Sequence, residues 1–204
     1  MINIPKIDIF YSIKEKNRSE TKIKGSKFIA TAIPINNLDE FQENLNKIRK
    51  EFFDATHNCF AYKLKLDKDY EGYSDDGEPN GSAGKPIFFI INKYELTNLL
   101  VVVTRYFGGT KLGVGGLVRA YSEATEKVLK ISEKKEIIIT KKFKLQCQYT
   151  ELSTVKKILE KYAVKHLENF TDIIIIEVEV PKSFAEEFKE TLYQTMSGKN
   201  IIID

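Results

Sequence analysis

The chain has no tryptophan, 2 cysteines, 2 histidines and 5 prolines in 204 residues. Cys59 and Cys147 lie far apart with no CxxC or Cys/His spacing. That excludes a disulfide scaffold and suits free thiols in a reducing compartment. No stretch approaches the roughly 20 apolar residues of a membrane span. The amino-terminal MINIPKIDIFYSIKEK is charged throughout and lacks the apolar run of a secretory signal, so a cytoplasmic protein without membrane contact is expected. Excess charge of one sign is also missing. Lys and Arg number 32 against 29 Asp and Glu, a net +3, which excludes a broadly basic coat but leaves room for a focused basic site.

What is present is an ordinary globular composition, 42% hydrophobic and 30% charged, in a chain long enough for two domains without staples. A helical pattern gives way to ISEKKEIIITKKFK at residues 131 to 144, and the break is placed near residue 137, giving domains 1–137 and 138–204. The small positive excess falls entirely in the first.

The second part reads as β-α-β-β-α-β. A strand at 143–149 precedes a helix with Leu152, Val155, Ile158, Leu159 and Tyr162 on one face and Thr150 as its expected N-cap. Strands follow at 164–170 and 171–180. A helix carrying Phe184, Phe188, Leu192 and Met196 is next, opened by a Ser183/Glu186 capping box, and IIID forms a last strand. This is the ferredoxin-like split motif, an α+β arrangement without a visible catalytic constellation.

The first part starts with an expected hairpin of YSIKEKN and FIATAIPI, joined through residues 24–27. Asn37 with Glu40 opens a helix bearing Leu38, Phe41, Leu45, Ile48 and Phe52. A strand at 57–66, a polar loop at 73–86, a helix from about Ser82 and a buried strand at 99–103 follow. Leu117, Ala120, Tyr121, Ala124, Val128 and Ile131 mark the domain's last helix.

Between those last two elements, Gly108, Gly109, Gly113, Gly115 and Gly116 surround Lys111, with Arg105 and Arg119 at the flanks. Such a loop can turn N–H groups toward an anion beside a helix N-terminus, with Lys85 as a further cation. The stretch nevertheless fails the specific tests. Val114 stands where a P-loop needs Lys, and Val118 where a dinucleotide fingerprint needs its third Gly. Close packing and a tight strand-to-helix passage explain the glycines equally well. The acidic loop Asp75-Asp76-Gly77-Glu78 reads either as a cleft, for a cation or as a base, or as a solvated turn. His57 and Cys59, two apart on a strand, share a face and are a conceivable nucleophile pair; a buried thiol beside a locally bonded imidazole is the plainer reading.

DATHNCFAY (54–62), YSDDGEPNGSAGKPI (73–87) and VVVTRYFGGTKLGVGGLVRAY (101–121) together resemble the YigZ/Impact family, in its bacterial YigZ branch. The resemblance covers nearly the whole chain. Departures are mild: Ser82 for the more usual Thr, Thr110 for an aliphatic residue, Val114 for a small one. It implies a first domain like domain four of elongation factor G and the GHMP kinases, and a ferredoxin-like second domain comparable to domain five of the same factor. The implied partners are RNA or the ribosome, or a protein partner in translation control. Eukaryotic Impact proteins restrain a starvation-sensing kinase pathway through an extra amino-terminal module, and about two dozen residues precede Gly25 here, so that interaction is not expected to transfer.

Three function classes follow. One is a non-enzymatic nucleic-acid or ribosome-binding factor, with Arg105, Lys111, Lys85 and Arg119 on phosphates and Tyr106, Phe107 and Tyr121 on bases. The second is a phosphate- or nucleotide-binding small-molecule enzyme using Asp75, Asp76 or Glu78. The third is an interaction module whose motifs only stabilise the fold, with an internal ion pair from Arg105 to the acidic loop. No cofactor or resident metal is expected, and the sequence leaves the oligomeric state open.

Overall fold

In the computed structural model, which describes residues 2–65 and 68–203, the elements run in the order β1 (Ile9–Ile13), β2 (Asn17–Ile23), β3 (Ser26–Pro34), α1 (Leu38–Glu51), β4 (His57–Lys65), β5 (Asp69–Ser74), α2 (Gly84–Lys93), β6 (Leu99–Tyr106), α3 (Val114–Ile131), β7 (Lys134–Ile138), β8 (Thr140–Cys147), α4 (Leu152–Tyr162), β9 (Lys165–Phe170), β10 (Ile174–Pro181) and α5 (Ala185–Thr195). Two compact units result. One is Tyr11–Glu136; the other combines Met1–Phe10 with Ile137–Asp204. The first ten residues thus group with the second unit, whereas the sequence reading placed them with the first.

The larger unit is built on an antiparallel sheet of order β2-β3-β6-β4-β5. β6 is its central strand. Its odd residues Leu99, Val101 and Val103 join the core beneath α2 and α3, with Phe28, Ala30, Cys59, Ala61, Ile87, Leu117 and Tyr121. Its even residues Leu100 and Val102 pack with Leu45 and Ile48 of α1 on the opposite face. A strand covered on both faces has no polar side, which is why Leu99 to Val103 is continuously apolar. α1 begins as expected: the Asn37 side chain accepts from the Glu40 N–H, and Glu40 accepts from the Asn36 N–H at 2.8 Å. β1 and β7 form a separate two-stranded sheet.

Several local expectations need correction. The hairpin partner of β3 is Asn17–Ile23, not YSIKEKN, because the tight turn at Lys24 and Gly25 fixes the register and pairs Ile23 with Ser26. Helix α2 starts at Gly84 rather than Ser82. The expected strand end Leu66 and the final residue Asp204 lie outside the described residues.

In the smaller unit β8, β10 and β9 form an antiparallel sheet, and Ile202 bridges Leu145 on the free side of β8. That completes the ferredoxin-like arrangement, with α4 and α5 packed over Phe143, Leu145, Ile174, Ile176 and Val178. Thr150 does not cap α4. Glu151 occupies that position, and its carboxylate accepts from the Gln148 N–H at 2.8 Å. Ser183 does not cap α5 either, because its N–H and hydroxyl both donate to the buried Asp8 carboxylate. The Ile139 N–H donates to the Asp8 carbonyl at 2.8 Å, which fixes the first residues to this unit.

Candidate functional site

Strand register assembles the site. Arg105 continues the odd-numbered series of β6, and it pairs with Phe28 of β3 on one side and His57 of β4 on the other. All three side chains therefore emerge on the α2/α3 face at the end of the sheet. There Arg105 Nη1 donates to Glu78 Oε1 at 2.6 Å, and the Tyr121 hydroxyl donates to the same oxygen at 2.8 Å. Arg105 and Glu78 are 5% and 8% exposed. The guanidinium is flanked by the rings of Phe28 and Phe107, each with its centroid 5.5 Å away.

His57 completes this layer. Its Nδ1 lies 2.7 Å from the Asp76 carbonyl, so Nδ1 carries the hydrogen and Nε2 points away from that bond, 3.9 Å from Glu78 Oε1. Cys59 Sγ lies 2.9 Å from the Asp75 carbonyl and 3.3 Å from the Tyr121 hydroxyl. Burial pushes its pKa up to about 12, and the Tyr121 hydrogen bond opposes this only in part. The thiol is protonated at neutral pH and is no nucleophile. The same burial raises the Tyr121 phenol, with Cys59 and Glu78 adding to the effect.

The acidic loop is consumed by the fold. Asp75 caps α2 from a distance: Oδ1 accepts from the Ala83 and Gly84 N–H groups at 2.9 and 2.8 Å, and Oδ2 from Gly81 at 2.8 Å. Asp76 Oδ2 accepts from the Asn58 N–H at 2.6 Å, and Arg49 stands 3.5 Å from its other oxygen. With Glu78 held by Arg105 and Tyr121, the three carboxylates are engaged within the fold, in line with the internal ion pair that is one reading of the loop and unlike its reading as an open cleft. Among the described residues no group of three His, Cys, Asp or Glu side chains is arranged to hold a metal ion.

Over this buried layer lies a pocket of about 390 Å³, whose walls include Thr56, Pro79, Phe107, Lys111, Leu112, Gly113, Val114 and Leu117, with His57, Glu78 and Arg105 at its base. The glycine-rich loop therefore forms one wall and the start of α3 another. Gly113, at φ 71°, stands at the N-cap and offers no side-chain acceptor to the helix. The first turn of α3 contains no acidic residue. Its leading N–H groups have no intrahelical acceptor and carry the positive end of an 18-residue helix. Lys111 is exposed and has no hydrogen-bond or ion-pair partner among the described residues.

The remaining candidates separate. Lys85 and Arg119 are exposed but do not line the pocket. Tyr106 alternates to the other face of the sheet, where its hydroxyl donates to Asp54 at 2.8 Å and Lys27 sits 4.5 Å from its ring centroid. Tyr121 is fully buried and cannot stack on a base, whereas Phe107, 47% exposed, can. Of the glycines, Gly113 lines the pocket, and Gly108 allows a close approach of two backbone segments. A Cβ on Gly108 would lie 1.9 Å from the Gly25 carbonyl carbon and 2.0 Å from its oxygen. Gly108→Ala is expected to cost about 1–3 kcal/mol or more, because backbone must move. Gly115→Ala, where the nearest atom is Arg119 Nη1 at 4.0 Å, is expected to be neutral or mildly stabilising. Denaturation midpoints of the two variants check this; equal midpoints would mean the close approach is absent.

Sequence reasoning assigned Tyr121 to base stacking and missed its hydrogen bond to Glu78, and it missed Ser26 as a site residue. The signal for Tyr121 was its place on the apolar face of α3, since a buried tyrosine hydroxyl needs a partner. Ser26 gave no such signal; its Oγ accepts from the Gly108 N–H at 3.2 Å and pins the loop.

A sheet clasped between one helix and a helix pair, followed by a ferredoxin-like unit, defines a two-domain α+β protein. Comparison with known proteins gives the family. The Impact N-terminal domain matches residues 24–129, and a domain of unknown function (DUF1949) matches residues 145–199. The chain is 32% identical over 195 residues to the IMPACT family member YvyE of Bacillus subtilis, covering 95% of this chain and 89% of that protein. It is 36% identical to an IMPACT family member of Haemophilus influenzae, covering 90% of each. To YigZ of Escherichia coli it is 30% identical, covering 87% of this chain and 88% of that one. A crystal structure of a hypothetical protein superposes with a TM-score of 0.66 at 26% identity, covering 97% and 98% of the two chains. The chain belongs to the IMPACT family. Among the described residues no helix is long and apolar enough to cross a membrane.

Proposed function

We propose that this IMPACT-family protein is a non-enzymatic RNA- or ribosome-binding factor in translation control, and that it meets phosphate at the glycine-loop pocket. The observation that carries the reading is the grouping of an uncapped α3 N-terminus, the exposed Lys111 and the exposed Phe107 around one concavity. These are an oriented set of N–H donors, an exposed cation and a stacking surface, the combination by which proteins hold unpaired nucleotides. The translation setting is supported by the family resemblance. The competing enzyme reading is weakened, because Asp75, Asp76 and Glu78 are engaged internally.

Binding of a single-stranded oligoribonucleotide, followed by fluorescence anisotropy between 50 and 200 mM salt, tests the proposal. With about three phosphates neutralised, the slope of log K against log salt should be near −2. Lys111→Glu should weaken binding about tenfold, because it replaces an attraction by a repulsion at the pocket rim. Absence of binding at 50 mM salt, or binding indifferent to salt, sinks the reading. A thermal shift with nucleotide that requires Mg²⁺ would favour the enzyme instead.

A further inference from the structure

The floor of the pocket is formed by buried polar side chains. Arg105 is 5% exposed and lies at its base, beneath Phe107. Two of its nitrogens are engaged, Nη1 with Glu78 at 2.6 Å and Nη2 with Ser26 Oγ at 3.4 Å. Its Nε–H is buried and has no acceptor among the described residues. An unsatisfied donor on a buried guanidinium is costly unless something fills it. The same pocket presents the first-turn N–H groups of α3.

These donors come from two separate elements, β6 and α3, both of which border one concavity. Glu78 is the opposing charge there, and Arg105 already neutralises it. Lys111 and the helix end leave the net local charge positive. A phosphodiester within a strand carries chain on both sides and stays at the rim. A phosphomonoester at a chain end carries chain on one side only, can enter end-on and brings up to two negative charges.

We propose that the pocket binds a terminal phosphate monoester, whose oxygens accept from the α3 N–H groups and the Arg105 Nε–H while the adjoining base lies against Phe107. The end of an RNA strand and a free mononucleotide share this chemistry. The assignment rests on the RNA-binding reading above and narrows it to the strand terminus.

The test uses the full chain and one oligoribonucleotide sequence in three forms, 5′-phosphorylated, 3′-phosphorylated and with both ends as hydroxyls, with adenosine monophosphate as competitor. One phosphorylated form should bind about tenfold tighter than the hydroxyl form, the effect of about 1.4 kcal/mol from charge-assisted hydrogen bonds. A preference for either end supports the site and assigns its polarity. Val114→Pro removes one first-turn N–H at the helix position that tolerates proline best, so the fold is retained; it should cut the preference to about threefold or less, consistent with one lost hydrogen bond. Competition by adenosine monophosphate would show that the phosphate end suffices without the strand.

Equal binding of all three RNAs overturns the terminal-phosphate site and leaves the RNA reading standing. Binding of adenosine monophosphate that is weakened by Val114→Pro, without binding of any RNA, overturns the RNA reading and keeps the phosphate site. Failure of every ligand overturns both.

Discussion

Replacing Arg105 by alanine is expected to destabilise the larger unit by about 3–5 kcal/mol, the cost of leaving a buried carboxylate without its counter-charge. Glu78 is 8% exposed, and its Oε1 would keep only the Tyr121 hydroxyl. Arg105→Ala combined with Glu78→Gln should recover a substantial part of the loss, since the uncompensated charge then disappears. Urea denaturation followed by circular dichroism reads both variants. A loss below about 1 kcal/mol for Arg105→Ala would put the pair in water, where ion pairs contribute that little. The comparison also separates structure from recognition. If Arg105→Ala with Glu78→Gln folds yet fails to bind RNA, the guanidinium contacts ligand as well as Glu78.

Removal of the Asp75 side chain is the second large effect. Asp75→Ala should cost about 2–4 kcal/mol, as an ionised carboxylate that accepts three backbone hydrogen bonds is lost and the N–H groups of Gly81, Ala83 and Gly84 are left unpaired. The favourable charge at the start of α2 goes with it. Asp75→Asn keeps an oxygen where Oδ1 accepts from Ala83 and Gly84, and loses mainly the Gly81 contact. It should therefore cost about half as much. Amide hydrogen exchange at the start of α2 is the sharper measurement, because protection there should fall before the rest of the unit opens. If the two variants are equally stable, Oδ1 is not the helix cap.

The contrast between Asp75 and Glu78 on one side and Lys111 on the other shows what could be read from sequence. The order of the motifs, the buried β6, the Asn37 cap and the β-α-β-β-α-β pattern depend on spacing within a few residues, and a linear reading captures such spacing. The partners of the acidic loop do not. Glu78 meets Tyr121 and Arg105 only because β4 and β6 pair in one register and α3 crosses above them. The misplaced caps have the same origin. Ser183 satisfies the local rule for a capping box, yet Asp8 takes its N–H and hydroxyl from 175 positions away. Tyr106 and Arg105, adjacent in sequence, are sent to opposite faces by the pleat, which a list of neighbouring candidates conceals. Lys111 stays exposed and has no partner among the described residues, so its local reading as a cation needed no tertiary knowledge.

The assembly of the smaller unit from both ends of the chain orders events during synthesis. The larger unit, Tyr11–Glu136, is continuous and has all its strands once residue 136 has left the ribosome. The smaller unit needs residues 2–10 and the segment that ends in Ile202. At 5–20 residues per second the first ten residues wait roughly 10–40 s for their partners. During that interval Asp8 has no Ser183 to hold it and the Ile139 N–H has yet to be made. The central unit is therefore complete in sequence while both segments of the smaller unit are not yet available to each other, and the Asp8 clasp can close only once Ser183 has emerged.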